Sequence, residues 1–420
     1  MENIIKVNEL PFSARNELTD NYVLATYRVF DVTDQKILSS CAKFAVGQSI
    51  GTWVKVNGIT EEMIEKYQAR VIDIDYNEEG IFTLRVAFPS LNFGNSFASL
   101  LTSLLGNDVS TSLQIRLINL EFINQAAKDL GVKQKNVTSI EKLRKITGIY
   151  NRPIILNMIK PCLGYNVEVG AQFFKEVALG CVDLIKDDEL MCNPSYNRVE
   201  ERMKRYKEVA LEVAEITGKE TIYVPNITDR YSEMKKHAKY ALEVGIKAVM
   251  VNFTFTGFDS FADICEEFGQ DLFILGHYAG VSIYDSYKTG ISNAVYLGVL
   301  PRACQADAVM TMTSKDYSSL KGLDVYKTIQ AQTNASMIHP LVPTLGGGVT
   351  ILDLEEMISR FGKDIIIGIG GGIQGHPNGA TSGAKAIMSA IQHLSKGSSL
   401  EELVKKDDDA RISFEYFSNL

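Results

Sequence analysis

Val182-Asp183-Leu184-Ile185-Lys186-Asp187-Asp188-Glu189-Leu190-Met191 is an apolar β-type run that ends abruptly in one lysine and three carboxylates. Side chains alternate between the two faces of a strand, so Lys186 and Asp188 point to the same side while Glu189 begins the loop. An amine and two carboxylates then converge at the C-terminal end of a strand, which suits a cation. A protonated lysine repels a metal ion. A lysine amine that has captured CO2 becomes a carbamate, an anionic oxygen ligand that with Asp188 and Glu189 matches a hard ion such as Mg2+. Taken alone, the same pattern also describes a solvated acidic turn.

The run is the second of eight. After Ile149 short apolar stretches recur at 154–159, 182–185, 221–225, 248–252, 272–276, 307–312, 337–343 and 365–369. Helical stretches with readable stops lie between them: 167–179 before Gly180, 198–217 before Gly218 and 351–361 before Gly362. Eight strand–helix alternations imply a TIM (β/α)8 barrel. Before the break, which falls near 130 to 150, residues 22–29, 69–76 and 81–89 read as strands and 60–67 as a helix start. The expected architecture is therefore α/β, with a smaller N-terminal α+β domain over 1–135 and a barrel over 136–420.

A barrel gathers reactive groups where its strands end. Lys160 follows the first run, Lys186 with Asp188 and Glu189 the second, Asn226 the third, and Asn252 and His277 end the fourth and fifth. The seventh and eighth runs lead into Gly346-Gly347-Gly348 and Gly370-Gly371-Gly372. Either cluster in isolation reads as a tight turn. Two of them after adjacent strands fit a phosphate, because glycine lets backbone N–H groups approach the oxygens and the helix starting near Gly379 adds a favourable dipole. An ordinary histidine titrates near neutrality, which makes His277 at its strand end a candidate catalyst. His376 reads as an anchor for its turn, His237 and His393 as solvated residues on helical faces, and His339 lies at the opposite end of the barrel. Phe253, Phe255 and Phe258 read as core.

Composition fits a large soluble enzyme: 420 residues, 45% hydrophobic, enough for a sizeable core. A net charge of -8 disfavours nucleic acid and anionic membranes as partners. No apolar run spans a bilayer and no signal-type segment follows Met1, so a cytoplasmic location is expected. The six cysteines contain no CxxC pair and give no disulfide framework.

The stretch 182–189 resembles the activation motif of the ribulose bisphosphate carboxylase (RuBisCO) superfamily. Other segments from about Tyr22 to Gln392 resemble the same family in the same order. Gly51-Thr52-Trp53 is similar to an N-terminal active-site segment. Phe93-Gly94-Asn95-Ser96-Phe97 is similar to the one whose asparagine reaches a neighbouring subunit's site. Ile159-Lys160-Pro161-Cys162-Leu163-Gly164 resembles the Lys-Pro-x-Leu-Gly motif of the first barrel strand, and the two glycine clusters resemble the family's phosphate-binding turns. The resemblance implies a ferredoxin-like N-terminal domain and carbamylation of Lys186 by CO2. It implies Mg2+ on Lys186, Asp188 and Glu189. Catalytic roles would fall to Lys160, Lys186, His277 and Asn95, and phosphorylated-substrate contacts to Thr52, Trp53, Gly346, Gly347, Gly348, Gly370 and Gly371. It further implies a homodimer with shared sites.

The departures are specific. Carboxylases of the family have a second lysine where this chain has Cys162, an arginine where it has Tyr278, and a glutamate near Gly47. They also carry strand-six histidines and a mobile-loop lysine, where this chain runs Ala308-Val309-Met310-Thr311-Met312-Thr313-Ser314 with only a displaced Lys315. The expectation is a RuBisCO-like protein: an Mg2+-dependent lyase or isomerase of carbohydrate metabolism. It would act on a phosphorylated keto sugar or sugar acid through a metal-stabilised enediolate, without fixing CO2. An alternative is the 2,3-diketo-5-methylthiopentyl-1-phosphate enolase of methionine salvage, although those enolases carry a lysine where this chain has Asn95. Readings from other classes are a Schiff-base aldolase using Lys160 or Lys186 and a non-catalytic sensor of a phosphorylated ligand.

Overall fold

The computed structural model describes residues 12–51, 58–106, 109, 113–133, 135–312, 325–334 and 338–420. Thr52, Trp53, Lys315 and Met337 lie outside the described residues. The chain divides into two compact units, one of Met1–Gln134, Gly280–Ala303 and Leu320–Ile338, the other of Lys135–Ala279, Cys304–Ser319 and His339–Leu420.

The first unit is built on a sheet of Gln114–Ile123, Tyr22–Phe30, Ile81–Pro89 and Arg70–Glu78, side by side in that order and antiparallel. With helices Ile37–Gly47 and Phe97–Leu105 between strands, this is the ferredoxin-like order. The short strand Gly290–Ile291 adds to its edge, parallel to Arg116 and Leu117. Period-two patterning sets the faces: Phe82, Leu84, Val86 and Phe88 are all buried. Helix Glu61–Tyr67 starts where expected because the Thr60 hydroxyl accepts from the Met63 N–H at 3.2 Å.

In the second unit all eight apolar runs become parallel strands: Ile154–Met158, Leu184–Lys186, Ile222–Val224, Ala248–Val251, Phe273–Gly276, Ala308–Met312, Val342–Gly346 and Ile366–Ile369. The ring closes between the third and fourth, where the Met250 N–H donates to Pro225 at 2.8 Å and the Ile227 N–H donates to Met250 at 3.0 Å. Inward-facing Ile154, Leu156, Leu184, Ile222, Val224, Met250, Phe273, Leu275, Val342 and Ile366 fill the barrel. Full burial of such a side chain contributes about 1.5–3 kcal/mol.

The seventh strand departs from the reading of 337–343. It runs Val342–Gly346, with Pro343 inside it, because pairing with the neighbouring strands begins only at Val342 and Thr344. Gly346 therefore ends the strand, and Gly347 and Gly348 make the turn with φ of 102° and 68°. The stretch 351–361 also splits, into a 3-10 turn Ile351–Asp353 and helix Leu354–Phe361. The turn is capped reciprocally by Thr350 and Asp353.

Candidate active site

Five side chains meet where the first, second and fifth barrel strands end. Lys186 closes the second strand with its side chain fully buried. Its Nζ donates to the Asp187 carbonyl at 2.9 Å and lies 3.8 Å from Glu189 Oε2. Burial pushes its pKa down, the nearby carboxylates of Glu189, Asp188 and Asp187 only partly opposing it. Lys160 is different: its Nζ donates to Asp188 Oδ2 at 2.6 Å and to Cys162 Sγ at 3.1 Å. Although partial burial disfavours the charge, Asp188 and Cys162 raise the Lys160 pKa and keep an ammonium there. Asp188 itself lies below the usual carboxylate range, burial being outweighed by Lys160 and the Leu190 N–H.

His277 follows the fifth strand, 2% exposed. Burial, then Lys186 and Lys160, depress its pKa well below the ordinary value, so the ring is neutral. The Ala279 N–H donates to Nδ1 at 3.2 Å, which assigns the remaining proton to Nε2, 3.6 Å from Glu189 Oε2. Glu189, one-third exposed, is thus flanked by Lys186 and His277.

Gly370 stands beside this cluster, since a Cβ added there would lie 3.5 Å from Lys160 Cε. The two glycine turns also abut. A Cβ on Gly372 would fall 2.4 Å from the Val349 carbonyl oxygen, just past Gly346-Gly347-Gly348. Gly371 has open space around its Cβ position. Asn95 is exposed in a turn of the first unit, immediately before the Ser96 cap of its helix.

Other residues turn out to be scaffolding. Asn226 donates from Nδ2 to the carbonyls of Asp188 (3.3 Å) and Glu189 (3.1 Å), holding the loop rather than facing the site. Asn252 caps the turn Phe253–Thr256 by accepting from the Thr254 N–H. Phe253 stacks on Phe261 in the core, whereas Phe255 is 66% exposed, contrary to the expectation of core packing. His376 anchors its turn, with Nδ1 accepting from the Asn378 N–H and Nε2 against the Asp409 carbonyl.

His237 is not solvated as expected. It is 2% exposed, with Nδ1 2.5 Å from Glu200 Oε1 and Nε2 3.4 Å from Asp229 Oδ2. It shares the inward stripe of its helix with Met234, Ala238 and Ala241, a 3.6-residue pattern that the sequence did contain. His393 is also partly buried, 3.9 Å from Glu402. Asp187, which alternation leaves out of the converging set, turns away from the site and is fully buried against Arg202 and Tyr223. Its partner Arg202 was missed. The available signal was a lone arginine on the apolar face otherwise made by Val199, Met203, Tyr206 and Val213.

Among the described residues no three His, Cys, Asp or Glu side chains form a ready metal site. Two carboxylates and an amine driven toward neutrality do fit a carbamate-completed one: oxygen donors for a hard ion, and a third anionic ligand available only after CO2 capture.

A (β/α)8 barrel with an amine–carboxylate cluster and paired glycine turns at one rim defines the class. The chain belongs to the ribulose bisphosphate carboxylase large-chain family: its catalytic-domain model matches residues 139–417 and its N-terminal-domain model residues 13–124. A ribulose bisphosphate carboxylase-like protein of Archaeoglobus fulgidus is 31% identical over 90% of this chain and 89% of its own length. A 2,3-diketo-5-methylthiopentyl-1-phosphate enolase of Bacillus pumilus is 27% identical over 95% of this chain and 99% of its own. The solved RuBisCO-like protein (MtnW) of Alicyclobacillus acidocaldarius superposes with a TM-score of 0.86 at 30% identity, covering 94% of this chain and 98% of that one. No helix among the described residues is long and apolar enough to cross a membrane.

Proposed function

We propose that the chain is an Mg2+-dependent RuBisCO-like enzyme that enolises a phosphorylated keto sugar or sugar acid without fixing CO2. One observation carries this reading: at the end of the second strand the fully buried Lys186 amine lies 3.8 Å from Glu189, with Asp188 beside it paired to Lys160 at 2.6 Å, and burial disfavours the charge on Lys186.

Asp188, Glu189 and carbamylated Lys186 would hold Mg2+, which when bound supplies Lewis-acid stabilisation of the enediolate. The chain's own groups supply the rest. The Lys160 ammonium donates to a substrate oxygen. Neutral His277 offers its Nε2 proton on the other side of Glu189. Removal of the proton next to the carbonyl would fall to one of the two rim lysines, the CO2-bearing side chain of Lys186 or Lys160. The glycine turns, with Gly370 beside Lys160, present N–H groups to the phosphate. Cys162 and Tyr278 stand where carboxylases have cationic groups, and the strand-six stretch carries only a displaced Lys315 for the loop lysine that steadies the CO2 adduct, so fixation is lost. The enolase of methionine salvage is the second reading, supported by the relative of that name, with Asn95 in place of a lysine against it.

The test follows solvent deuterium into the carbon next to the carbonyl, by NMR, with 2,3-diketo-5-methylthiopentyl 1-phosphate and ribulose 1,5-bisphosphate as probes. Exchange should require both bicarbonate and Mg2+ and vanish in Lys186→Ala. Exchange by enzyme stripped with chelator and gas exchange would sink the proposal. So would label from bicarbonate in acid-stable 3-phosphoglycerate, as regards the absence of fixation.

A further inference from the structure

We propose that Arg202 is a positioning residue of this site, holding the loop that carries Asp188 and Glu189 in the register the cation requires. The proposal rests on the cation reading above and adds to it the group that shapes the ligand set. Arg202 lies on helix Val199–Thr217 with its side chain fully buried, and touches neither Lys186 nor the carboxylates proposed as ligands. What it touches is the loop itself. Nη2 donates to the carbonyls of Met191 (3.1 Å) and Cys192 (2.6 Å), and Nη1 donates to the Asn197 carbonyl. Nη2 and Nε also reach Asp187 Oδ2 at 3.1 and 3.3 Å. One planar guanidinium thus gathers both ends of the loop, a geometry its fixed fork of donors suits and a lysine ammonium does not.

Asp187 is the link from this clamp to the site. Its side chain is fully buried and lies next in sequence to Asp188. Besides Arg202 it accepts from the Tyr223 hydroxyl at 2.7 Å and from the Asn226 N–H at 2.9 Å, which ties it to the end of the third strand. With Asp187 turned out of the barrel toward helix Val199–Thr217, alternation turns Asp188 toward Lys160 and Lys186. The Asn226 side chain bonds the Asp188 and Glu189 carbonyls from the other side, so the backbone of the short ligand segment is held from behind by this network while its side chains face Lys160, Lys186 and His277. A buried ion pair is a poor source of net stability, because desolvating both charges offsets their attraction. Fixing a geometry is the use that accounts for it, as partners behind metal ligands do elsewhere.

Arg202→Lys and Tyr223→Phe in the full chain test the role, the second deleting only the hydroxyl that meets Asp187. Mg2+ affinity in bicarbonate is read by titration calorimetry, and CO2 retention on Lys186 by the carbamate signal of 13C-bicarbonate. Binding of inorganic phosphate is the control for the rest of the barrel rim. Arg202→Lys should weaken Mg2+ binding by about tenfold or more and Tyr223→Phe by a few-fold, with phosphate binding unchanged. Should Arg202→Lys fail to fold, Tyr223→Phe decides alone. Wild-type Mg2+ affinity and CO2 retention in the folded variants would overturn the role of Arg202 and leave the cation reading standing. A wild-type protein that neither binds Mg2+ nor retains CO2 would overturn both.

Discussion

Replacing Asp183 by asparagine probes what anchors the strand that delivers Lys186. Its side chain is fully buried and accepts from Arg152 Nη1 at 2.7 Å, Arg152 Nη2 at 2.8 Å, the Ile155 N–H at 2.8 Å and Lys219. Burial alone would raise the carboxyl pKa, but Arg152 and Lys219 hold it below the usual range. Asparagine keeps the shape and loses the charge. Lys219 is 29% exposed and can turn to water, whereas Arg152, 8% exposed, is left as an uncompensated cation. Breaking a buried pair in this way costs about 3–5 kcal/mol, a large part of a typical fold stability of about 5–15 kcal/mol. A carboxyl with a lowered folded pKa contributes stability that is complete above its unfolded value of about 3.9 and is lost as pH falls through the folded one. Urea unfolding read by hydrogen exchange on strands Ile154–Met158 and Leu184–Lys186 should therefore show about 3–5 kcal/mol lost in Asp183→Asn at pH 7. The gap should be the same at about pH 6 and close on acidification below about pH 4. Asp183 precedes the strand at the end away from the site, so kcat per folded molecule should hold. A loss under about 1 kcal/mol at neutral pH, the level of an exposed pair, or a gap that survives acidification, would refute the reasoning.

Gly372→Ala forces a Cβ to 2.4 Å from the Val349 carbonyl and should pry the glycine turns apart. Inorganic phosphate binding is expected to weaken about tenfold, about 1.4 kcal/mol, while Mg2+ binding is retained, both by calorimetry. If Asn95 closes a partner's barrel mouth, mixing Asn95→Ala with Lys186→Ala, each inactive alone, should restore activity once mass spectrometry confirms subunit exchange. Continued inactivity in the exchanged mixture would count against a shared site. Chelator treatment should abolish activity of the wild type and readdition of Mg2+ with bicarbonate restore it, whereas readdition of Mg2+ alone to CO2-free enzyme should not.

What could be read from the chain alone was whatever is written in local period. Eight apolar runs at barrel spacing specify the (β/α)8 topology, since each strand need only find its neighbours. Alternation places Lys186 and Asp188 on one side, and Gly218 and Gly362 mark helix ends. The seventh strand slipped because an apolar run does not say where hydrogen bonding begins. Beyond that, the unread features share one cause: they depend on partners distant in sequence, which no window of residues names even where, as at His237 and Arg202, the apolar stripe of the helix marks the burial. Asp187 and Asp188 are chemically identical neighbours, and only Arg202 and Tyr223 behind one and Lys160 beside the other give them opposite tasks. His237 reads as a surface residue until Glu200 and Asp229 close around it. The motifs give the two rim lysines different roles but not different charges. The fold makes Lys186 the one whose charge is disfavoured and Lys160 the stable cation, because the first is sealed from water and the second keeps both solvent and the Asp188 carboxylate.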